Sequence, residues 1–122
     1  MIMIERMVLL LLEAAPSRRL QRESLQSVCS ILNKRYSLRM EHSLENFDEI
    51  LKGLDVLYFD QTKTGFQLNS GGDAELEQMR RKQGPFVAMF GKIARNIFNR
   101  DIVARSIIRA TVRVQVPARA CV

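Results

Sequence analysis

Apolar and polar positions in the first half of the chain repeat with the period of an α-helix. The apolar run Met7–Leu12 predicts a buried first helix, Ile2–Ala15, which Pro16 ends. Two further apolar stripes have helical spacings of 3, 1, 3, 4 and of 3, 3, 1, 3 residues. They are Leu25, Val28, Cys29, Leu32 and Tyr36 in a second helix, which runs from about Leu20 to Tyr36, and Leu44, Phe47, Ile50, Leu51 and Leu54 in a third.

The pattern changes after the third helix and becomes that of a β-hairpin. Val56–Asp60 and Phe66–Asn69 are strand-like runs, and the polar loop Gln61–Gly65 joins them. Three helices followed by a hairpin are the layout of a winged helix, so we expect a mostly helical α+β domain over residues 1–69. No apolar stripe can be buried alone, and the third helix must therefore pack on the others. The expected contacts join Leu44, Phe47, Leu51 and Leu54 to Val8, Leu25, Val28 and Leu32.

The last third of the chain predicts a basic helical extension, residues 73–122, behind a short linker, Ser70-Gly71-Gly72. Asp73–Gln83 has acidic residues first and basic residues last, which suits a helix dipole, and Gly84-Pro85 stops this helix. After residue 99, the pattern allows a helix over Asp101–Ala110 and a short strand over 112–116.

The second helix of this extension, Phe86–Asn99, carries a broad apolar face. A stripe of this size is costly to leave in water, and the linker holds it away from the first domain. We therefore expect a homodimer through Phe86–Ile108, with this face as its interface. The face consists of Phe86, Met89, Phe90, Ile93, Ile97 and Phe98.

The net charge of +6 is concentrated at the C-terminal end of the chain. Residues 1–83 hold 12 basic and 12 acidic side chains, whereas residues 84–122 hold seven basic side chains and one acidic one. Such asymmetry indicates an anionic partner, and a solubilising tail is the alternative. The candidate contacts form three groups: Arg18, Arg19 and Arg22; Lys34, Arg35 and Arg39; and Lys92, Arg95, Arg100, Arg105, Arg109 and Arg113.

The third helix is a poor candidate for reading DNA. In the common winged-helix mode this helix enters the major groove with basic and amide side chains. Here it shows the three carboxylates of Glu45, Asp48 and Glu49 against the single ammonium of Lys52. A phosphate backbone would repel that face, so any nucleic acid must meet basic surfaces outside helix three.

Residues that could carry catalysis are sparse. The one histidine, His42, lies in a predicted loop beside Glu41, and no Cys/His set has metal-ligand spacing. Lys63-Thr64-Gly65 belongs to the hairpin loop and not to a phosphate-binding loop. Cys29 and Cys121 do not make a disulfide framework, which favours a reduced, intracellular setting, cytoplasmic or nuclear. The sequence therefore predicts a non-catalytic protein without metal or cofactor.

An aromatic residue ends the second helix, and a pattern of leucine, aromatic and paired aliphatic residues followed by a leucine-x-valine strand comes next. The positions are Tyr36, Leu44, Phe47, Ile50, Leu51, Leu54, Val56 and the wing strand Gly65–Leu68. With these positions, residues 32–68 resemble the LOTUS (OST-HTH) type of winged helix. The resemblance implies RNA-associated work, either helicase docking or RNA binding, and not reading of the major groove.

These observations favour a non-catalytic binding module that contacts nucleic acid, RNA or DNA, through its basic surfaces. A protein–protein module that uses the Phe86–Phe98 face is the alternative. A third interpretation, which we disfavour, lays Phe86–Ala110 on an anionic membrane as a basic amphipathic helix.

Overall fold

The computed structural model describes residues 1–99 and shows a mostly helical α+β arrangement. Its elements are α1 (Met3–Ala14), a 3-10 turn (Pro16–Arg18), β1 (Arg19–Leu20), α2 (Arg22–Tyr36), α3 (Glu41–Glu45), α4 (Phe47–Leu54), β2 (Phe59–Thr62), β3 (Gly65–Leu68), α5 (Ser70–Lys82) and α6 (Gly84–Asn99). The predictions for Arg100, Arg105, Arg109 and Arg113, for a helix over 101–110 and for a strand over 112–116 lie outside the described residues. The α+β class is confirmed, and the winged-helix assignment stays a prediction.

Helix α1 lies at the centre of the fold. It contacts α2, α5, α6, β1 and β3, and residues 4 and 7–12 are all buried. A helix that is apolar on every side is buried on every side, which explains the unbroken apolar run. Glu5 accepts a hydrogen bond from the backbone N–H of Ile2 at 2.8 Å, which satisfies a free donor at the helix start. The predicted first helix is confirmed to within one residue at each end.

The predicted hairpin forms, and a third strand joins it. β2 and β3 pair antiparallel with Phe59 opposite Leu68, and β1 pairs with the other edge of β3, so the sheet order is β1-β3-β2. The hairpin turn is only Lys63-Thr64, shorter than the predicted loop. Gly65 has a φ of 135°, and a Cβ there would lie 2.3 Å from the carbonyl oxygen of Leu20 in β1. A glycine is therefore required where β3 meets β1.

Residues 56–58 were predicted as strand but form a tight turn between α4 and β2. The backbone N–H of Val56 donates to the carbonyl oxygen of Phe59 at 2.7 Å, and Val56 has a φ of 71°. Positive φ is unfavourable for a β-branched residue, and this turn leaves Val56 and Leu57 exposed. The β-branched and aromatic run that predicted a strand therefore begins here with a turn, and the strand itself starts at Phe59.

The predicted third helix is two helices, α3 and α4, separated at Asn46. Asn46 has φ −107° and ψ 28°, and its side-chain amide donates to the carbonyl oxygen of His42 at 2.9 Å. An asparagine side chain that bonds a nearby backbone carbonyl competes with helix continuation. Phe47, Leu51 and Leu54 are nevertheless buried, and Leu44 is half-buried. These residues share one core with Val8, Leu25, Val28 and Leu32, as predicted.

Residues 70–72 are not a linker, which corrects the prediction. They form the first turn of α5, and the Asn69 side chain caps that helix by accepting a hydrogen bond from the N–H of Gly72 at 3.0 Å. A Cβ on Gly71 would lie 2.0 Å from the carbonyl oxygen of Leu57. Glycine is therefore present because two backbone segments approach closely, and not because the chain needs freedom there.

The apolar face of α6 packs on α1 and the core of the same chain. This corrects the prediction that a linker holds the face away from the first domain. Phe90 and Ile97 are buried, Phe86, Ile93 and Phe98 are half-buried against the core, and only Met89 is exposed, at 53%. Because α5 begins directly after β3, nothing holds α6 away from the first helices. The expected homodimer loses the apolar surface that motivated it.

Candidate nucleic-acid interface

Helix α2 ends in a left-handed turn that carries basic side chains into solvent. Ser37 caps the helix with a φ of 50°, and Arg39 has a φ of 59°. Lys34, Arg35 and Arg39 are all exposed. The first two lie in the last turn of α2, where cations interact favourably with the helix dipole. The local fold therefore stabilises a basic group at this helix end.

A buried amide fixes the shape of this turn. The Asn33 side chain in α2 accepts a hydrogen bond from the backbone N–H of Met40 at 2.8 Å and donates to Glu41 Oε2 at 2.5 Å. Met40 and Glu41 follow the turn, so one side chain joins the residues before it to those after it. The positions of the basic residues between them are held by this pair of contacts.

A groove brings the end of α2 together with α6. Its lining residues come from two segments of the sequence, and Arg35 and Asn96 are 61 positions apart. The groove is small, with a volume of about 50 Å³. It is lined by Ile31, Leu32, Arg35, Tyr36, Ile93, Asn96 and Ile97.

Five cations lie on the two segments that form this groove, and Arg35 is the one that lines it. Lys92 and Arg95 are exposed on α6, one turn or less from Asn96. Within residues 1–99, no carboxylate forms an ion pair with any of the five. We call the set Lys34, Arg35, Arg39, Lys92 and Arg95 the basic surface. Its five charges are not neutralised by the described part of the chain.

The first predicted basic group is arranged differently. Arg18 forms an ion pair with Asp73, and Arg22 holds Asp48 through two hydrogen bonds of 2.5 and 3.1 Å. The Asp48 hydrogen bond raises the pKa of Arg22, and the same bond lowers the pKa of the Asp48 carboxyl. Arg19 is exposed on β1. Two of these three arginines therefore have carboxylate partners and are poorly placed to take a phosphate.

The exposed side of α4 offers no free cation. Lys52 lies 3.8 Å from Glu49, and Asp48 is bound to Arg22. A cleft of about 570 Å³ lies between α4 and the hairpin. Its charged lining is balanced, with three basic and three acidic side chains: Arg22, Lys52, Lys63, Glu23, Asp48 and Asp55. A polyanion gains nothing from such a surface, which agrees with the expectation from the sequence.

The exposed apolar residues beside the basic surface were not recognised from the sequence pattern. Tyr36 was placed on the buried stripe of α2 but is 43% exposed, and Ile31 is 44% exposed. The helical period assigned Tyr36 to the core, yet it is the last residue of α2, where the helix leaves the core. Its position directly after Lys34 and Arg35 was the available signal.

Residues 1–99 contain no group of three or more His, Cys, Asp or Glu side chains placed to bind a metal ion. Cys29 is buried in the core, and loss of solvation raises the pKa of its thiol to about 12. A thiol with such a pKa is a poor nucleophile at neutral pH. None of the helices formed by residues 1–99 has the length and apolar character needed to span a membrane.

Comparisons with protein-family models, with curated proteins and with solved structures return no match for this chain.

Proposed function

We propose that this protein is a non-catalytic module that binds nucleic acid, RNA or DNA, through the basic surface formed by the end of α2 and by α6. The observation that carries the proposal is the groove that joins these two elements. It joins two segments of the chain that carry five cations, and Arg35 lines the groove itself. None of the five has a carboxylate partner within residues 1–99. Surfaces that bind nucleic acid are of this kind, because phosphate contacts supply most of the affinity.

The element order supports a winged-helix form of this module. A strand lies between α1 and α2, the α3–α4 pair follows, and the β2–β3 hairpin stands where a wing is expected. The usual major-groove mode is disfavoured, since the carboxylates of α3 and α4 oppose a phosphate backbone. The proposed mode therefore uses the C-terminal end of α2 and not the exposed side of α4. This is in keeping with the RNA-associated role implied by the LOTUS resemblance.

The apolar face that suggested a protein–protein module is largely covered within the chain. The Phe86–Phe98 face packs on α1 in the same chain, with Met89 as its one exposed large residue. The same packing removes the apolar face that an amphipathic helix would need on a membrane. Nucleic-acid binding is thus the function with the best physical support.

The test is a binding titration of the full chain against fluorescently labelled RNA and DNA oligonucleotides at several salt concentrations, followed by anisotropy. The test variant combines Arg35→Ala, Lys92→Ala and Arg95→Ala. The control combines Lys63→Ala, Arg81→Ala and Lys82→Ala, which removes the same number of exposed cations outside the basic surface.

We expect the triple variant to bind more weakly and to show a shallower salt dependence. The slope of log K against log salt should fall by roughly 0.7–0.9 for each phosphate contact removed. The control should behave as the wild-type chain. Equal losses in the triple variant and the control would show that only net charge matters and would refute a site on this surface.

A further inference from the structure

We infer that the basic surface takes single-stranded nucleic acid and that Tyr36 stacks on one of its unpaired bases. The inference rests on the proposed function and names its substrate class. It comes from one placement, in which an exposed aromatic ring shares a groove with a cation and an amide. The groove residues that matter are Tyr36, Arg35 and Asn96.

The ring of Tyr36 is free to receive a base. The side chain is 43% exposed at the end of α2, and within residues 1–99 it has neither a ring contact nor a hydrogen bond. Ile31, five residues earlier on the same helix, is 44% exposed and lines the same groove. Exposing two large apolar side chains at one groove has a cost in water, which a stacked base would offset.

The neighbouring charges define the rest of the ligand. A nucleotide places its phosphate a short distance from the face of its base, and Lys34, Arg35 and Arg39 lie in the same segment as Tyr36. Lys92 and Arg95 are exposed on α6, the helix that forms the other wall of the groove. Aromatic residues interleaved with cations are the usual platform for single strands, since each base offers a flat face and each linkage one negative charge.

A duplex does not suit this surface. Its base faces are covered by their neighbours in the stack, so Tyr36 would have nothing to stack on. Reading of base edges needs a helix in the major groove, and the exposed charges of α4 are paired or acidic. The groove of about 50 Å³ is also too small to enclose a base. The base therefore rests on the ring, and recognition tolerates different sequences.

The first experiment compares a labelled single strand of about a dozen nucleotides with the same sequence as a duplex, using the full chain at fixed salt. We expect tighter binding of the single strand. Tyr36→Ala should weaken single-strand binding by roughly 5- to 100-fold, while Tyr36→Phe should keep most of it. Leu57→Ala, at an exposed apolar residue that does not line the groove, is the control and should bind as the wild-type chain.

The second experiment observes the ring directly. The chain has two tyrosines and no tryptophan, so Tyr58→Phe leaves Tyr36 as the single tyrosine fluorophore. Stacking on a base should quench its emission in step with the anisotropy change. Contact through phosphates alone would leave the emission of Tyr36 unchanged.

The outcomes separate this inference from the proposed function. Equal binding of single strand and duplex, or full affinity in Tyr36→Ala, would overturn the stacking inference while the basic surface remains a binding site. A wild-type chain that binds no oligonucleotide at low salt would overturn the proposed function and the inference together. Loss in Tyr36→Ala with retention in Tyr36→Phe supports both.

Discussion

The side-chain oxygen of Asn33 accepts a hydrogen bond from the backbone N–H of Met40 at 2.8 Å, in a buried part of the fold. The same amide donates to Glu41, so Asn33 connects α2 with the start of α3. Between these residues the backbone takes two positive φ values, at Ser37 and Arg39. A turn with two such residues needs an outside constraint, and Asn33 supplies it.

Replacing Asn33 by Ala should destabilise the protein. The buried N–H of Met40 would lose its acceptor, and an unsatisfied buried donor costs roughly 1–3 kcal/mol. Ser27→Ala, at an exposed residue of the same helix, should change the free energy of unfolding by less than about 0.5 kcal/mol. Urea denaturation followed by circular dichroism measures both. Equal stability of Asn33→Ala and the wild-type chain would mean that the turn holds without this amide.

Gly71 should tolerate no side chain, although the sequence presents it as part of a flexible linker. A Cβ at this position would lie 2.0 Å from the carbonyl oxygen of Leu57, so Gly71→Ala forces backbone movement that costs roughly 1–3 kcal/mol. Gly53→Ala is the matched control, since a Cβ on this α4 residue meets nothing within 4 Å. The control should gain roughly 0.5–1 kcal/mol from the higher helix propensity of alanine. Thermal unfolding of the two variants should therefore shift in opposite directions.

Cys29 should be inert in the folded protein. Burial raises the pKa of its thiol from 9.0 to about 12, so the folded state keeps a proton that the unfolded state releases. The contribution of Cys29 to stability is complete below pH 9 and is lost as the pH rises towards about 12. In a Cys121→Ser background, a thiol reagent near pH 8 should modify Cys29 only after denaturant is added. Rapid modification of the native protein would contradict its burial.

Local patterns predicted most of the elements, and contacts between distant segments account for most of the errors. The stripe of Phe47, Leu51 and Leu54 predicted a buried helix correctly, because apolar residues on a buried helical face recur with a period of 3.6 residues. The strand Arg19–Leu20 was missed, since two residues carry no periodicity and their pairing with β3 is a long-range contact. The close approach of Gly71 to the carbonyl oxygen of Leu57 is also a contact between segments that are distant in the sequence.

The candidate site could be predicted only in part for the same reason. The basic groups at the end of α2 and on α6 are visible as charges in the sequence, but the groove between the two helices depends on how α6 packs on α1. Tyr36 was assigned to the core because it continues the helical stripe, whereas the end of α2 extends past the core. The two carboxylate partners of Arg18 and Arg22 are 55 and 26 positions away and could not be paired from the sequence.

Packing of α6 within its own chain can be tested by two substitutions on that helix. Phe90 is buried at 6% exposure, so Phe90→Ala should cost roughly 3–5 kcal/mol through lost burial and the cavity that remains. Met89 is 53% exposed on the same helix, and Met89→Ala should cost less than about 0.5 kcal/mol. Denaturation is measured at two protein concentrations that differ at least tenfold.

Intramolecular packing predicts unfolding midpoints that are independent of protein concentration, with monomers in sedimentation velocity. A dimer held together by α6 predicts the opposite. Its stability would rise with concentration by mass action, and Met89→Ala would lower it because Met89 would then be buried in the interface. The midpoint of the wild-type chain and the cost of Met89→Ala therefore distinguish the two arrangements, and a concentration-dependent midpoint would restore the dimer that the covered face of α6 now disfavours.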